Sequence, residues 1–92
     1  MLNIYGLNDV KYRVLTNVGT FFYDRKKSET HFYPLDSELF FDALASGTTV
    51  QKLAEILTNE FELEKKQCIQ IATDTLNSLQ QVHLITTDEI AA

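Results

Sequence analysis

Residues 35–61 read LDSELFFDALASGTTVQKLAEILTNEF and carry the strongest structural signals in the chain. Asp36 or Ser37 can accept hydrogen bonds from the free backbone N–H groups that begin a helix. Gly47 supplies the left-handed residue that ends this helix. Residues 48–51 (TTVQ) form a capping box, in which the first threonine and the glutamine satisfy each other's backbone donors. The stretch therefore predicts two short helices joined by a tight turn.

Apolar residues recur at helical spacing in both segments and again between residues 64 and 81, where the sequence predicts a longer third helix. The residues that this spacing places on buried faces are Leu39, Phe40, Ala43 and Leu44 in the first helix, Val50, Leu53, Ala54 and Leu57 in the second, and Cys68, Ile69, Ala72, Leu76 and Leu79 in the third.

The residues before these helices favour strands. Tyr12, Val14 and Val18 alternate with Arg13 and Leu15, which is typical of a strand, and residues 20–23 are β-branched and aromatic. A polar connection leads to a third strand at 30–35, in which Pro34 cannot donate a ladder hydrogen bond and so indicates an edge. The order predicts an α+β, winged-helix-like domain, with a three-stranded antiparallel sheet followed by three helices.

A single domain is expected over residues 12–86. Residues 1–11 are predicted to be a loosely held lead-in, and residues 87–92 a frayed C-terminal tail. Leu84 and Ile85 form a short apolar pair that can pack back on the helices.

The length and composition of the chain limit the classes of protein to which it can belong. The chain has 92 residues, which suits one domain. No apolar run approaches the roughly 18 residues of a membrane span, and the N-terminus has no signal-peptide pattern. Cys68 is the single cysteine, so no internal disulfide is expected, and a reducing cytoplasm fits best.

Charge is unevenly distributed. Residues 1–34 hold five basic and three acidic side chains, a net of +2, whereas residues 35–92 hold three and ten, a net of −7. Phosphate backbones are bound mainly by clustered Lys and Arg, and the acidic helical half is a poor surface for them. A winged-helix nucleic-acid binder remains an alternative, and it would use Arg25, Lys26, Lys27, Lys65 and Lys66.

The sequence gives little indication of catalytic activity. His31 and His83 are the only histidines and have no partners at metal-ligand spacing, and the predicted core position of Cys68 suits a small buried hydrophobe. The three glycines are not grouped, so there is no phosphate-binding loop. The expectation is a protein without enzymatic activity, metal or cofactor.

The predicted third strand is the best candidate for binding. Phe32 and Tyr33 are adjacent and must point to opposite faces of the sheet. One of them packs inward, and the other is either covered by the N-terminus or a second copy or lines a ligand groove. An unpaired edge can accept an extended peptide as a further strand, with Ile71 as an apolar wall, and it also allows a homodimer. Ile71 could alternatively contact only the first helix.

Several of these segments resemble the PqqD-like family, the precursor-peptide recognition elements of ribosomal peptide (RiPP) biosynthesis. The resemblance covers roughly residues 12–86. Its matching positions are Leu35-Asp36, Ser46-Gly47-Thr48-Thr49-Val50, Leu53, Ala54, Phe61, Ala72, Leu76, Leu79 and Leu84-Ile85. The chain departs from the family where His83 replaces a common glycine and where Ile71-Ala72 replaces a frequent Asp-Val pair.

The resemblance implies a non-catalytic peptide chaperone that binds a precursor's leader peptide and delivers it to a maturation enzyme. That enzyme would be a radical-SAM enzyme, a dehydratase, a cyclodehydratase or a leader protease. The leader would add as a strand to the third strand and lie along the third helix. The implied peptide-binding residues are Thr30, His31, Phe32, Tyr33, Gln67, Ile71, Asp74 and Thr75. A structural subunit of a modifying enzyme is the remaining alternative.

Overall fold

The chain contains five strands and three helices within residues 2–90, the part that the computed structural model describes. In chain order they are β1 (Leu2–Leu7), β2 (Val10–Leu15), β3 (Gly19–Asp24), β4 (Glu29–Tyr33), α1 (Glu38–Ser46), α2 (Val50–Phe61), α3 (Lys65–Gln81) and β5 (Ile85–Ile90). The predicted α+β class is confirmed, with an antiparallel sheet ahead of three helices.

The two ends of the described chain pair with each other. β1 and β5 form a separate two-stranded antiparallel sheet, in register from Leu2 opposite Ile90 to Leu7 opposite Ile85. The predicted loose lead-in at 1–11 is therefore wrong for residues 2–7 and for residues 10–11, which belong to β2, and residue 1 lies outside the described residues. The predicted frayed tail is wrong for residues 87–90. Residues 91–92 of that tail lie outside the described residues.

The second sheet is the predicted meander, with strand order β2-β3-β4 and antiparallel pairing throughout. Between β2 and β3 the chain turns at Asn17, whose φ of 64° is left-handed and suits asparagine. Asp24 accepts backbone N–H bonds from Lys26 and Lys27, which shapes the turn into β4. Local hairpins thus connect β2 to β3 and β3 to β4.

Both short helices begin with side-chain caps. The Ser37 hydroxyl accepts from the Phe40 N–H at the start of α1, and Gly47 ends that helix at a φ of 91°, as predicted. The predicted capping box of Thr48 and Gln51 does not form. Thr49 is the N-cap and accepts from the Lys52 N–H, and a lysine side chain has no acceptor to return the bond. Thr48 instead exchanges two backbone hydrogen bonds with Tyr5 of β1, at 2.7 and 2.9 Å.

The core is formed by Phe22 of β3, by buried residues of all three helices and by Leu84 and Ile85. Phe41 packs edge-on against Phe22 of β3 and against Phe40, with ring centroids 5.1 Å apart in both pairs. Leu39, whose spacing predicts a buried position, is 60% exposed. Phe41 takes the inward direction instead, because the sheet contacts α1 on that side.

On α3 the buried residues are Cys68, Ala72, Thr75, Leu76 and Leu79. Ile69, which was also predicted to be buried, is 37% exposed. Leu84 and Ile85 are buried after the helix, as their apolar character predicts.

Tyr12 of β2 donates its hydroxyl to an Asp42 carboxylate oxygen on α1. Burial, this hydrogen bond and the negative charges of Asp42 and Glu38 together raise the pKa of the Tyr12 hydroxyl to about 12. Since an unfolded tyrosine ionises near pH 10, the folded state holds this proton more tightly. The resulting stabilisation is fully present below pH 10 and is lost as pH rises toward 12.

Replacing Asp42 with asparagine is expected to lower the pKa of Tyr12 while leaving it above 10, because burial is the largest cause of the shift. The measurement is tyrosinate absorbance as a function of pH, with the Tyr12→Phe protein subtracted to isolate this residue. An unchanged Tyr12 titration in Asp42→Asn would contradict the assigned partner.

Candidate functional site

β4 is an edge strand. It pairs with β3 on one side, and no other described strand pairs with it. The N-terminal segment, which could have covered this edge, pairs with β5 instead. The outer side of the β4 backbone therefore keeps hydrogen-bonding groups without a strand partner in the part of the chain that the structure describes.

The inner face of β4 meets the third helix. Tyr33 is partly buried against the core, and its hydroxyl oxygen lies 3.4 Å from the Thr75 hydroxyl oxygen of α3. Thr75 is fully buried and donates to the Ile71 carbonyl at 2.7 Å. This chain of contacts brings the end of the edge strand and the middle of α3 together.

His31 also faces inward, between Tyr33 and the hairpin that precedes β4. Its Nε2 atom is buried without a hydrogen-bond partner, and the nearest charged group is Glu29, with Oε1 3.9 Å away. This nitrogen has almost no accessible surface, so a molecule bound at the edge would meet the exposed part of the imidazole ring and not the Nε2 atom.

Phe32 points to the opposite face of the sheet from His31 and Tyr33. It is 47% exposed and lies beside Phe21, with ring centroids 4.9 Å apart. Phe32, one of the implied peptide-binding residues, therefore does not share a groove with Tyr33 and Ile71, because strand alternation separates its side chain from α3.

The four predicted helix residues differ in accessibility. Ile71 is half-buried and packs against the core, which leaves part of its side chain accessible. Gln67 and Asp74 are exposed, and Asp74 accepts a hydrogen bond from Gln70 at 2.9 Å. Thr75 is fully buried, so its role is to hold Tyr33 and not to contact a ligand directly. Thr30, the remaining predicted residue, is exposed on the outer face with Phe32.

One part of the surface was not predicted. Phe21, Tyr23 and Phe32 are exposed together on the outer face of the three-stranded sheet, with Lys11 and Arg13 on β2 beside them. The strict alternation of β3, whose Thr20 and Phe22 are buried, was the available signal. Phe21 and Tyr23 occupy alternate positions of β3, on either side of the buried Phe22. This pattern predicts an aromatic face that is exposed to solvent.

The described residues offer two binding surfaces, the open edge of β4 and the outer face of the three-stranded sheet. Among residues 2–90, no cluster of three or more His, Cys, Asp or Glu side chains is placed to hold a metal ion. Cys68 is fully buried in the core. No helix of the described residues has the length and apolar character needed to cross a membrane. The edge can therefore supply backbone hydrogen bonds, apolar contacts and one imidazole.

No family model, curated protein or solved structure matches this chain.

Proposed function

We propose that this chain is a winged-helix-like module that binds an extended peptide on β4. By its resemblance to PqqD-like proteins, the peptide is the leader of a ribosomally made precursor, and the module presents it to a maturation enzyme. The observation that carries the proposal is the unpaired edge of β4 beside α3. Main-chain hydrogen bonds would supply affinity, and the side chains next to the edge would supply specificity.

The electrostatics favour a peptide over nucleic acid. At the β3–β4 hairpin, Arg25 lies 3.8 Å from Asp9, so one of the three basic side chains there already has an acidic neighbour. The helical half of the protein carries a net charge of −7. A binding site that relies on backbone hydrogen bonds and apolar contacts needs no dense positive surface, which agrees with this charge distribution.

A module without catalytic groups can still accelerate maturation. Holding the leader while a bound enzyme acts on the rest of the peptide makes the second encounter intramolecular, which raises the effective concentration of substrate. The proposal therefore predicts two surfaces, one for the peptide and one for the enzyme.

Replacing Ile71 with aspartate is expected to weaken peptide binding by about 1–3 kcal/mol, because the bound peptide would desolvate the new carboxylate. The measurement is calorimetry with leader peptides from neighbouring precursor genes and with binders selected from a displayed library of random peptides. Ile69→Asp is the matched control. Ile69 lies two residues away on α3, and successive residues are 100° apart, so it faces a different direction.

Two results would contradict the proposal. One is wild-type peptide affinity in the Ile71→Asp protein together with no shift of the 30–33 backbone amides in an NMR titration. The other is binding only to nucleic acid, with affinity that falls steeply as salt increases. Equal losses in Ile69→Asp and Ile71→Asp would place the peptide elsewhere on α3.

A further inference from the structure

The outer face of the three-stranded sheet is organised in rows that run across the strands toward the β4 edge. Strand register places Arg13, Phe21 and Phe32 in one row. The neighbouring row contains Lys11, Tyr23 and Thr30. Both rows end at β4, with Phe32 and Thr30 as their last members, so this face is continuous with the proposed peptide site.

Phe32 is held in place from beneath. A Cβ atom added to Gly19 would lie 2.6 Å from the Phe32 Cζ atom, so the ring lies directly over the glycine backbone. Phe21 supports the ring from the side, at a centroid distance of 4.9 Å. Despite these contacts Phe32 is 47% exposed. The structure thus presents a supported aromatic surface at the free edge of the sheet.

We infer that the guest peptide is recognised on both faces of the sheet, and that its outward side chains pack on Phe32. This inference rests on the proposed function. A strand added to β4 must alternate its side chains between the two faces. The guest residue opposite Phe32 would have its Cβ about 4.5–5.5 Å from that of Phe32, and it would continue the row that already contains Phe21.

The inferred ligand class follows from this geometry. Aromatic and β-branched residues form the favourable cross-strand pairs with an aromatic neighbour. The guest should therefore carry such a residue opposite Phe32, and apolar residues at the alternate positions that face His31, Tyr33 and Ile71. A peptide with apolar side chains on only one face would make the favourable contacts on one face of the sheet and lack them on the other.

The guest strand fits this surface better than nucleic acid does. Lys11 and Arg13, the cations of the outer face, are on β2, two strand spacings or about 10 Å from β4. Phe32 is the aromatic residue nearest the open edge. The other outward position of β4 is Thr30, so Phe32 has no basic neighbour on that face of its own strand. Backbone pairing with a peptide uses this edge, whereas a phosphate chain would need the cations beside it.

The test uses one peptide selected for binding from a displayed random library, with each of its residues replaced in turn by alanine. We expect two interleaved sets of sensitive positions. Phe32→Thr, which retains strand propensity, should weaken the parent peptide about twofold to fivefold. In the Phe32→Thr protein, alanine replacement of the guest residues that face outward should no longer weaken binding. Alanine replacement of the guest residues that face inward should weaken it as in the wild type. Phe61→Thr is the matched control, because Phe61 is also a partly exposed phenylalanine, 38% accessible, and lies at the end of α2, outside the three-stranded sheet.

The outcomes separate this inference from the proposed function. Thermal unfolding of each variant first establishes that the fold is retained. If only the inward set is sensitive and Phe32→Thr binds as wild type does, the inference is overturned while the peptide site stands. If no peptide is enriched, both are overturned. Dependence of single-stranded oligonucleotide binding on Phe32, without an effect on peptide binding, would also overturn it.

Discussion

Replacing Phe41 with alanine is expected to lower the free energy of unfolding by about 3–5 kcal/mol. Phe41 is fully buried and packs against the rings of Tyr12, Phe22 and Phe40, so its removal leaves a cavity between α1 and the three-stranded sheet. Small domains have total stabilities of about 5–15 kcal/mol. The expected loss is therefore a large fraction of the free energy of unfolding of a domain of this size. Urea denaturation followed by circular dichroism measures the change.

The matched control is Leu39→Ala. Leu39 lies two residues earlier on the same helix and is 60% exposed, and its replacement should change stability by less than about 0.5 kcal/mol. Helix propensity hardly distinguishes the two variants, because both introduce alanine at an α1 position. A larger loss in Leu39→Ala than in Phe41→Ala would mean that α1 is rotated relative to the structure described above.

The same pair of residues shows where sequence patterns are insufficient. In residues 38–41 (ELFF) three adjacent side chains are apolar, and helical spacing alone permits more than one inward face. The position of the sheet selects Phe40 and Phe41. The error at Ile69 has a similar cause, because α3 packs on α2 and buries Cys68, Ala72 and Leu76, while the isoleucine next to Cys68 stays partly exposed.

Non-local pairing accounts for the strands that were not predicted. The segment that forms β1 contains Gly6, and that of β5 is polar in its centre, so neither has a strong local signal. Each becomes a strand because the other is available more than 70 residues away along the chain. By contrast, the β2–β3 and β3–β4 hairpins are local and were correctly predicted.

For the candidate site, Pro34 and the aromatic pair correctly indicated an edge strand. The sequence also showed that Phe32 and Tyr33 must face opposite ways, but it did not show which of them turns toward α3. That choice depends on the register with β3, where Thr20 lies opposite Tyr33 on the buried face. Thr20 donates its hydroxyl to the Leu35 carbonyl at 2.7 Å, a contact between strand and connection that no periodicity predicts.

Gly19→Ala is expected to destabilise the protein by about 2–5 kcal/mol, through backbone strain and overpacking. Gly19 has a φ of 145°, which alanine rarely adopts. Its added Cβ would lie 2.6 Å from the Tyr33 carbonyl oxygen as well as from the Phe32 ring. Because that oxygen belongs to the β4 backbone, the clash cannot be relieved by rotating a side chain.

The matched control is Gly6→Ala in β1, where the nearest atoms to the added Cβ are 3.8 Å away and no positive φ is required. Its stability should equal or exceed that of the wild type by up to about 1 kcal/mol. Urea denaturation of both variants measures the contrast. Since the Gly19 clash displaces the end of β4 and the Phe32 ring together, the surviving folded fraction of Gly19→Ala should also bind the selected peptide more weakly than Gly6→Ala does. Equal stability of the two variants would show that β4 can move away from β3 without cost, and an edge that loose could not serve as a template for a guest strand.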